Sequence, residues 1–367
     1  MKILHITRQF YPCIGGTEKY VYEVAKRLVK RGYENYVLTL NYNIFNKKQK
    51  FKSNEEIDGI KIIRIPGFGY YKKPFPLKIP LKVFEQVNIV HLHDIRFLFE
   101  TAIFLKRFFN YKLVYSTHGF LFHTTDLYFV KKLVVPLYYK PLIKKFVDSI
   151  ICVSQNDYNY FKKFTNKAYL IENGIDYEKF SNINCNPIKE NFLYFGRIDT
   201  NKGLDLLFNV LAKLKDIDWR LNIVGGGFSG LIESLKMLAK QLGIDKKIIW
   251  WGFLPESKLF DLISESQICF FPSTYEGFGF TLIEAMAAGC VCVANNIEAY
   301  RCIIDDEKNG FIINFTNVDT ASEKIKNILN MPKDKLEKVS QQAKITTKRY
   351  DWEEKIERII KVYDYVM

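Results

Sequence analysis

Two glutamates separated by seven residues, Glu276 and Glu284, stand in the stretch YEGFGFTLIEAMAAG from Tyr275 to Gly289. Ile268 to Phe271 reads as a buried strand before it, and Pro272 to Phe280 as a turn-rich loop. Thr281 to Ala288 then reads as a short helix closed by Gly289, a residue favoured just past a helix end. A second apolar run, Val291 to Ala294, follows at once. Free N–H groups and the helix dipole at such a helix start attract phosphate. Carboxylates repel it, so the two glutamates are better suited to accept hydrogen bonds from hydroxyls beside it. A ligand carrying both phosphate and hydroxyls, such as a sugar nucleotide, satisfies the whole arrangement. A surface helix with two solvated glutamates satisfies the same letters, and the stretch alone does not choose.

Further cationic and glycine features belong at the same carboxyl-end rim. GRIDTNKG supplies Arg197 and Lys202 after a strand, where a guanidinium and an ammonium can neutralise a diphosphate. An ordinary loop with two solvated charges is the competing reading. GGGFSG, residues 225–230, matches G-x-G-x-x-G through Gly225, Gly227 and Gly230. A dinucleotide site also needs an acid at the end of the next strand; IIWWGFLP has none, which excludes the oxidoreductase reading. Gly15 and Gly16 stand directly before a helix start, where a backbone can approach a ligand closely. His118 lies at the carboxyl end of a strand. His91 and His93, two apart on a strand, share a face, so a metal pair is conceivable there. With only Asp94 beside them they are expected to line a cleft. Asp216-Ile217-Asp218 precedes a strand instead of ending one, which makes it a loop, and no metal site is expected.

The elements that must position these residues alternate along the chain. Strands are expected at Lys2–Thr7, Val37–Leu40, Ile60–Ile65, Asn88–His93, Lys112–Thr117, Ile150–Val153 and Tyr169–Ile171. A helix from Glu18 to Arg31, capped by Thr17, follows the first strand. Pro66 to Pro80 reads as a loop. Residues 173–191, polar and without periodicity, suit an interdomain linker. Beyond it strands at Phe192–Phe195, Leu221–Val224, Ile248–Trp251, Ile268–Phe271, Val291–Ala294 and Gly310–Phe315 each alternate with a helix, the mark of a parallel sheet covered on both faces.

At 367 residues the chain is long for one core and comfortable for two domains. Hydrophobic content of 48% with 26% charged residues is ordinary for a soluble globular protein. No apolar run reaches the roughly 18 residues of a membrane span, and MKILHITR reads as a strand, not a signal peptide. Seven cysteines without a C-x-x-C pair argue against a disulfide framework or zinc ribbon and for a reducing cytoplasm. The net charge of +14 is uneven: residues 1–172 hold 29 lysines and arginines against 13 acids, and the remainder 25 against 27. The first half is therefore expected to meet something anionic, such as a membrane surface, a phosphorylated acceptor or nucleic acid. Lysines interleaved with apolar residues over Phe120–Phe146 suit an anionic bilayer surface, and a solvated helix face equally.

Taken together, FYPCIGGTE, THG at His118, NGID, GRIDTNKG, the GGG loop, WGFLP and EGFGFTLIEAMAAG resemble the family 4 glycosyltransferases over essentially the whole chain. The resemblance implies an α/β fold, GT-B, with two doubly wound Rossmann-like domains facing a central cleft. Residues 1–172 would form the acceptor domain, completed by the C-terminal helix 351–367, and residues 173–350 the donor-binding domain. The implied activity is retaining transfer from a nucleotide-diphosphate sugar to a glycan or lipid-linked acceptor, without metal or other cofactor. Arg197 and Lys202 would hold the diphosphate, Gly16 would approach it from the other domain, backbone N–H groups from Gly279 through Phe280 to Thr281 would complete its cradle, and Gly15 and Gly225 would belong to the substrate-binding set. Glu284 would bind the ribose and Phe253 and Leu254 would border the base. Glu276 and His118 would contact the transferring sugar, Glu276 positioning and stabilising without acting as nucleophile. Tyr33 and Asn35 depart from the histidine and valine the family usually shows.

The expected setting is cytoplasmic, with peripheral contact to the inner face of an anionic membrane and no nucleic-acid partner. A nucleotide-sugar epimerase or a phosphorylase would share the fold; the first needs no acceptor, the second needs phosphate or a cofactor lysine. A basic module binding nucleic acid or membrane through the first half alone would show salt-sensitive binding and no affinity for nucleotide diphosphates.

Overall fold

The structure is a computed structural model and describes residues 1–13, 15–44, 46–70, 73–118 and 134–367. Gly119 and the first part of the interleaved segment expected over Phe120–Phe146 lie outside the described residues. The chain divides into two compact units, Met1–Gly174 with Glu353–Met367, and Ile175–Trp352.

The N-terminal unit is built on β1 (Lys2–Ile6), β2 (Glu34–Leu40), β3 (Asn54–Ile57), β4 (Ile60–Ile65), β7 (Ile89–Leu92), β8 (Lys112–Ser116), β9 (Ser149–Cys152) and β10 (Ala168–Leu170), in the spatial order β10-β9-β8-β7-β1-β2-β4-β3. Every pairing is parallel except β3 with β4. The chain starts at β1 and winds to one side, then resumes at β7 on the other, so the order reverses between β1 and β7. Two short strands, β5 (Gly67–Tyr70) and β6 (Lys73–Pro76), pair as an antiparallel hairpin where only a loop is expected from the Pro- and Gly-rich sequence. The first helix spans Gly16–Lys30 with Gly15 in the N-cap position. The expected cap, Thr17, lies inside it, because the carbonyl of Gly15 already accepts the amide of Lys19. The returning C-terminal segment is tied to this unit by Arg31 to Glu353 and Glu357, and by Arg358 to the Leu170 carbonyl.

The C-terminal unit has six parallel strands: β11 (Ile188–Phe195), β12 (Arg220–Val224), β13 (Ile248–Gly252), β14 (Ser266–Phe271), β15 (Val291–Asn295) and β16 (Phe311–Ile313), in the order β13-β12-β11-β14-β15-β16. Alternate residues of one strand enter different cores. Phe192, Tyr194, Ile268 and Phe270 pack into one cluster, while Leu193, Phe195, Cys269 and Phe271 pack into the other. Period-2 alternation with both faces apolar is why these strands read as continuous apolar runs. The order reverses between β11 and β14. The segment expected to be a linker belongs to this unit: Ile175, Phe180 and Ile183 are buried in its core, Tyr177–Ser181 is helical, and β11 begins at Ile188. Scattered apolar anchors among polar residues have no period to reveal them.

Among the described residues no helix is long and apolar enough to cross a membrane. All seven cysteines are free, and Cys152, Cys269, Cys290 and Cys292 are buried.

Candidate functional site

In open parallel sheets, ligands sit outside the carboxyl ends of strands at the point where strand order reverses. In the C-terminal unit that point lies between β11 and β14. The loop after β11 passes through Arg197 into a short 3-10 turn, Thr200–Lys202, and then the helix Leu204–Leu211. The loop after β14 carries Ser273 and Glu276 and enters the helix Phe280–Ala288, one residue earlier than the apolar pattern indicates. Across this reversal the Lys202 ammonium donates to Glu276 Oε1 at 2.5 Å, with side chains only 16% and 14% exposed. The same oxygen receives Ser273 Oγ at 3.1 Å and the Tyr300 hydroxyl at 3.3 Å. Burial pushes the Tyr300 hydroxyl well up, and the nearby Glu276 charge adds to it, so Tyr300 stays a donor.

The other predicted residues of this unit gather at the same strand ends. Arg197 is exposed, its guanidinium 3.2 Å from Asp199 Oδ2, and its carbonyl accepts the Tyr194 hydroxyl at 2.7 Å. The GGG loop runs alongside: the Ile198 amide donates to the Gly226 carbonyl at 2.9 Å. Gly225 has φ +127, and a Cβ there would stand 1.9 Å from the Gly196 carbonyl oxygen, so only glycine lets the two loops touch. Gly279, φ +95, is the N-cap of Phe280–Ala288 and brings no side-chain cap to it. Thr281 lies beside Gly196, and half-buried Glu284 sits three residues further along the same helix face as Thr281. Phe253, 85% exposed, lies over Gly226, with half-buried Leu254 next to it. Asp216 and Asp218 project into solvent from the turn before β12, consistent with a loop.

The N-terminal unit has its own reversal, between β1 and β7. Gly15 and Gly16 follow β1 and open the first helix; a Cβ on Gly16 would meet nothing within 4 Å. His118 follows β8 with φ +34 and its Nε2 3.2 Å from His93 Nδ1. His91 and His93 do not line a cleft. Both are buried, at 0% and 1% exposure, because the parallel register sets His5 opposite His91, and Tyr20 and Tyr363 cover the rings. Nitrogens of His5, His91 and His93 lie within 4.8 Å of one another, close enough to hold a metal ion. Each of the six nitrogens already has a protein partner, however: His5 meets Asn35 and His93, His91 meets Tyr363 and Ser116, and His93 meets His5 and His118. Such a set is satisfied as a hydrogen-bonded core. Burial pushes the imidazoles of His5 and His118 down to about 4, the latter against the raising effect of Asp94, and those of His91 and His93 lower still. All four are neutral at pH 7.

Sequence reasoning passed over Ser273, Tyr300, His5 and Asn35, and the cluster of Arg8 and Arg96 on Asp94 at the end of β7. His5, Ser273 and the Asp94 cluster lie on or just after strands that flank a reversal, whereas Asn35 on β2 and Tyr300 in the helix after β15 lie one strand farther out and carry no local signal.

Two family models match the chain: Glycosyltransferase Family 4 over residues 14–179 and Glycosyl transferases group 1 over residues 177–346. The GDP-mannose:cellobiosyl-diphosphopolyprenol alpha-mannosyltransferase of Xanthomonas campestris is 27% identical over 99% of this chain and 96% of its own length. The enzyme of the same name from Komagataeibacter xylinus is 26% identical over 100% and 94%. In structure the chain is similar to a glycosyltransferase from Rickettsia africae, with TM-score 0.79, 21% identity, and 100% and 98% of the two chains covered. It is also similar to Anabaena HepE in complex with UDP, with TM-score 0.78, 19% identity and full coverage of both chains. These structural likenesses establish the fold, and the two family models adjoin to take in nearly all of the sequence. The chain belongs to the family 4 glycosyltransferases and has the GT-B fold.

Proposed function

We propose that this glycosyltransferase moves a sugar, with retention and without a metal ion, from a nucleotide-diphosphate sugar to a lipid-linked or glycan acceptor. The observation that carries the reading is the Lys202–Glu276 pair at the strand-order reversal, beside exposed Arg197 and the glycine N-cap of the helix Phe280–Ala288. Two cationic side chains and the positive end of a helix suit a diphosphate leaving group, and they supply the positive charge a divalent ion would otherwise bring. Glu276, oriented by Lys202, Ser273 and Tyr300, would hold hydroxyls of the transferring sugar. Glu284 would take the ribose, Phe253 and Leu254 the base, and Gly225 would keep the floor low enough for the backbone to reach the phosphates. In the N-terminal unit, which would serve the acceptor, Gly15 and Gly16 would approach the diphosphate and His118 the sugar. Developing charge on the departing diphosphate would be the main thing stabilised; a phosphate oxygen would take the acceptor's proton.

Relatives named for GDP-mannose and a diphosphopolyprenol acceptor make GDP-mannose and a polyprenyl-diphosphate-linked sugar the first pair to assay. Thermal melting with GDP, UDP and ADP and their sugar conjugates is the direct test. A ligand bound only by the native state raises the melting temperature. At least one member should do so, and its sugar should then appear on the acceptor in EDTA with the anomeric configuration kept. No response to any member sinks the donor reading; loss of turnover in EDTA sinks the metal-free part.

A membrane setting on the cytoplasmic side is proposed on a separate feature. Phe68 and Phe75 of the β5–β6 hairpin, with Leu77 and Leu81, are 50–64% exposed beside Lys73, Lys78 and Lys82. Apolar rings rimmed by lysines suit an anionic bilayer surface. The protein should sediment with phosphatidylglycerol vesicles and not with phosphatidylcholine vesicles. The Phe68→Ser/Phe75→Ser double variant should remain in solution; sedimentation equal to wild type rejects the patch.

A further inference from the structure

The buried histidines of the N-terminal unit form a line with a direction. At one end Asn35, fully buried, donates from Nδ2 to the Tyr33 carbonyl at 3.0 Å. Turning that amide over would set its oxygen against the carbonyl oxygen, so its orientation is settled, and Oδ1 must face His5. His5 Nε2 stands 3.0 Å from Asn35 Oδ1 and can only donate to it. A neutral ring has one N–H, so His5 Nδ1 is an acceptor, and it lies 3.0 Å from His93 Nε2. His93 must therefore carry its proton on Nε2 and accept at Nδ1, which faces His118 Nε2 at 3.2 Å. The same step repeats once more: His118 donates from Nε2 and keeps a lone pair on Nδ1. Nδ1 of His118 has no hydrogen-bond partner among the described residues. The Tyr20 ring meets that of His118 edge-on at 4.6 Å and fixes its plane.

We propose that Asn35 is a positioning residue which acts through His5 and His93 to hold His118 in the Nε2–H tautomer, so that His118 offers Nδ1 as an acceptor to a hydroxyl of the bound sugar. No atom of Asn35 need approach the ligand; its amide sets the direction of three ring protons. Burial, which keeps these imidazoles neutral at pH 7, is what allows one orienting group to fix the whole line. A second row, Tyr363 and Ser116 on the two nitrogens of His91, has a hydroxyl at each end. A hydroxyl both donates and accepts, so that row leaves the His91 tautomer unset and contributes packing only. The role given to His118 rests on the proposed sugar contact; the tautomer itself does not.

The test is the two-bond proton–nitrogen NMR spectrum of the full chain labelled with nitrogen-15 in histidine, of which it has five. Single replacements assign the rings. In the wild type at pH 7, His5, His93 and His118 should each show the unprotonated nitrogen at Nδ1. Asn35→Val, of similar volume and without an acceptor, should leave His118 with mixed tautomers. It should also lower kcat by roughly 10-fold with donor KM changed little, as expected when a sugar-contacting group is mis-set and donor binding is retained. A wild-type spectrum with His118 protonated at Nδ1, or with any of the three rings doubly protonated, overturns the proposal even if the variant fails to fold. An unchanged His118 pattern in a folded Asn35→Val protein overturns it as well. The expected tautomers in a protein without transferase activity would sink the sugar contact alone and leave the relay standing.

Discussion

The two units solve one topological problem with opposite chemistry. Each sheet reverses its strand order once, between β1 and β7 in the N-terminal unit and between β11 and β14 in the C-terminal unit. At the second reversal stands an ion pair, Lys202–Glu276, steadied by two hydroxyls. At the first, neutral imidazoles are packed out of water and bonded to one another. All five histidines of the chain fall in the N-terminal unit, and the C-terminal unit has none. The lesson is that a reversal furnishes a place for side chains to converge without dictating which chemistry arrives. Charge at one point suits an anion; a line of neutral rings suits the orientation of a hydroxyl.

The sharpest way to break this contrast is to remove the charge. Lys202→Ala should lower turnover by roughly 10²–10³-fold, the cost of losing one preorganised group that stabilises a leaving oxyanion. Circular dichroism and melting should stay near wild type, because Glu276 keeps Ser273 and Tyr300. Turnover within a few-fold of wild type would place the diphosphate elsewhere.

A pair of glycine substitutions separates a structural from a functional need. Gly225→Ala forces a methyl group onto the Gly196 carbonyl at φ +127 and should destabilise the protein by about 2–3 kcal/mol in urea unfolding. Gly16→Ala meets open space and should change stability by less than about 0.5 kcal/mol. Its turnover should still fall if the backbone there must approach phosphate. Equal stability losses in the two variants would remove the distinction.

A smaller effect comes from pH. In the unfolded chain an imidazole binds its proton near 6.5, whereas folded His5 and His118 do so only at about 4. Between those values the unfolded state binds more protons, so stability present above 6.5 is lost as the pH falls toward 4. Each pKa unit of difference is worth about 1.4 kcal/mol. The histidine-containing unit should therefore lose protection first. Hydrogen exchange, normalised to the intrinsic rate at pH 7.5 and at 5.0, should show amides of β1, β7 and β8 opening more than those of β11, β12 and β14. Uniform loss across both units would contradict the burial of the imidazoles.

Much of the fold was legible because buried parallel strands announce themselves as apolar runs. Ile268–Phe271, Val291–Ala294 and Leu221–Val224 fall inside observed strands for that reason. The β5–β6 hairpin and the helix at Tyr177–Ser181 were not legible, since prolines and glycines mask the one and sparse anchors the other. At the candidate site, residue types and spacing single out Arg197, Lys202, Glu276 and Glu284 from the sequence, because each stands in a short motif of its own loop. Tyr300, which comes from another segment to hold Glu276, has no local mark.

By itself the sequence determined the strand and helix alternation, the two-unit plan, the family and the charged groups facing the strand ends. Each of these follows from local periodicity or from motifs within a few residues of one another. Only tertiary structure decided that Lys202 meets Glu276, that Gly225 lies against Gly196, and that His91 and His93 are buried. Those outcomes depend on strand order and register, which bring together residues dozens of positions apart. His5, Asn35, His93 and His118 form a single line only after β1, β2, β7 and β8 have been laid side by side.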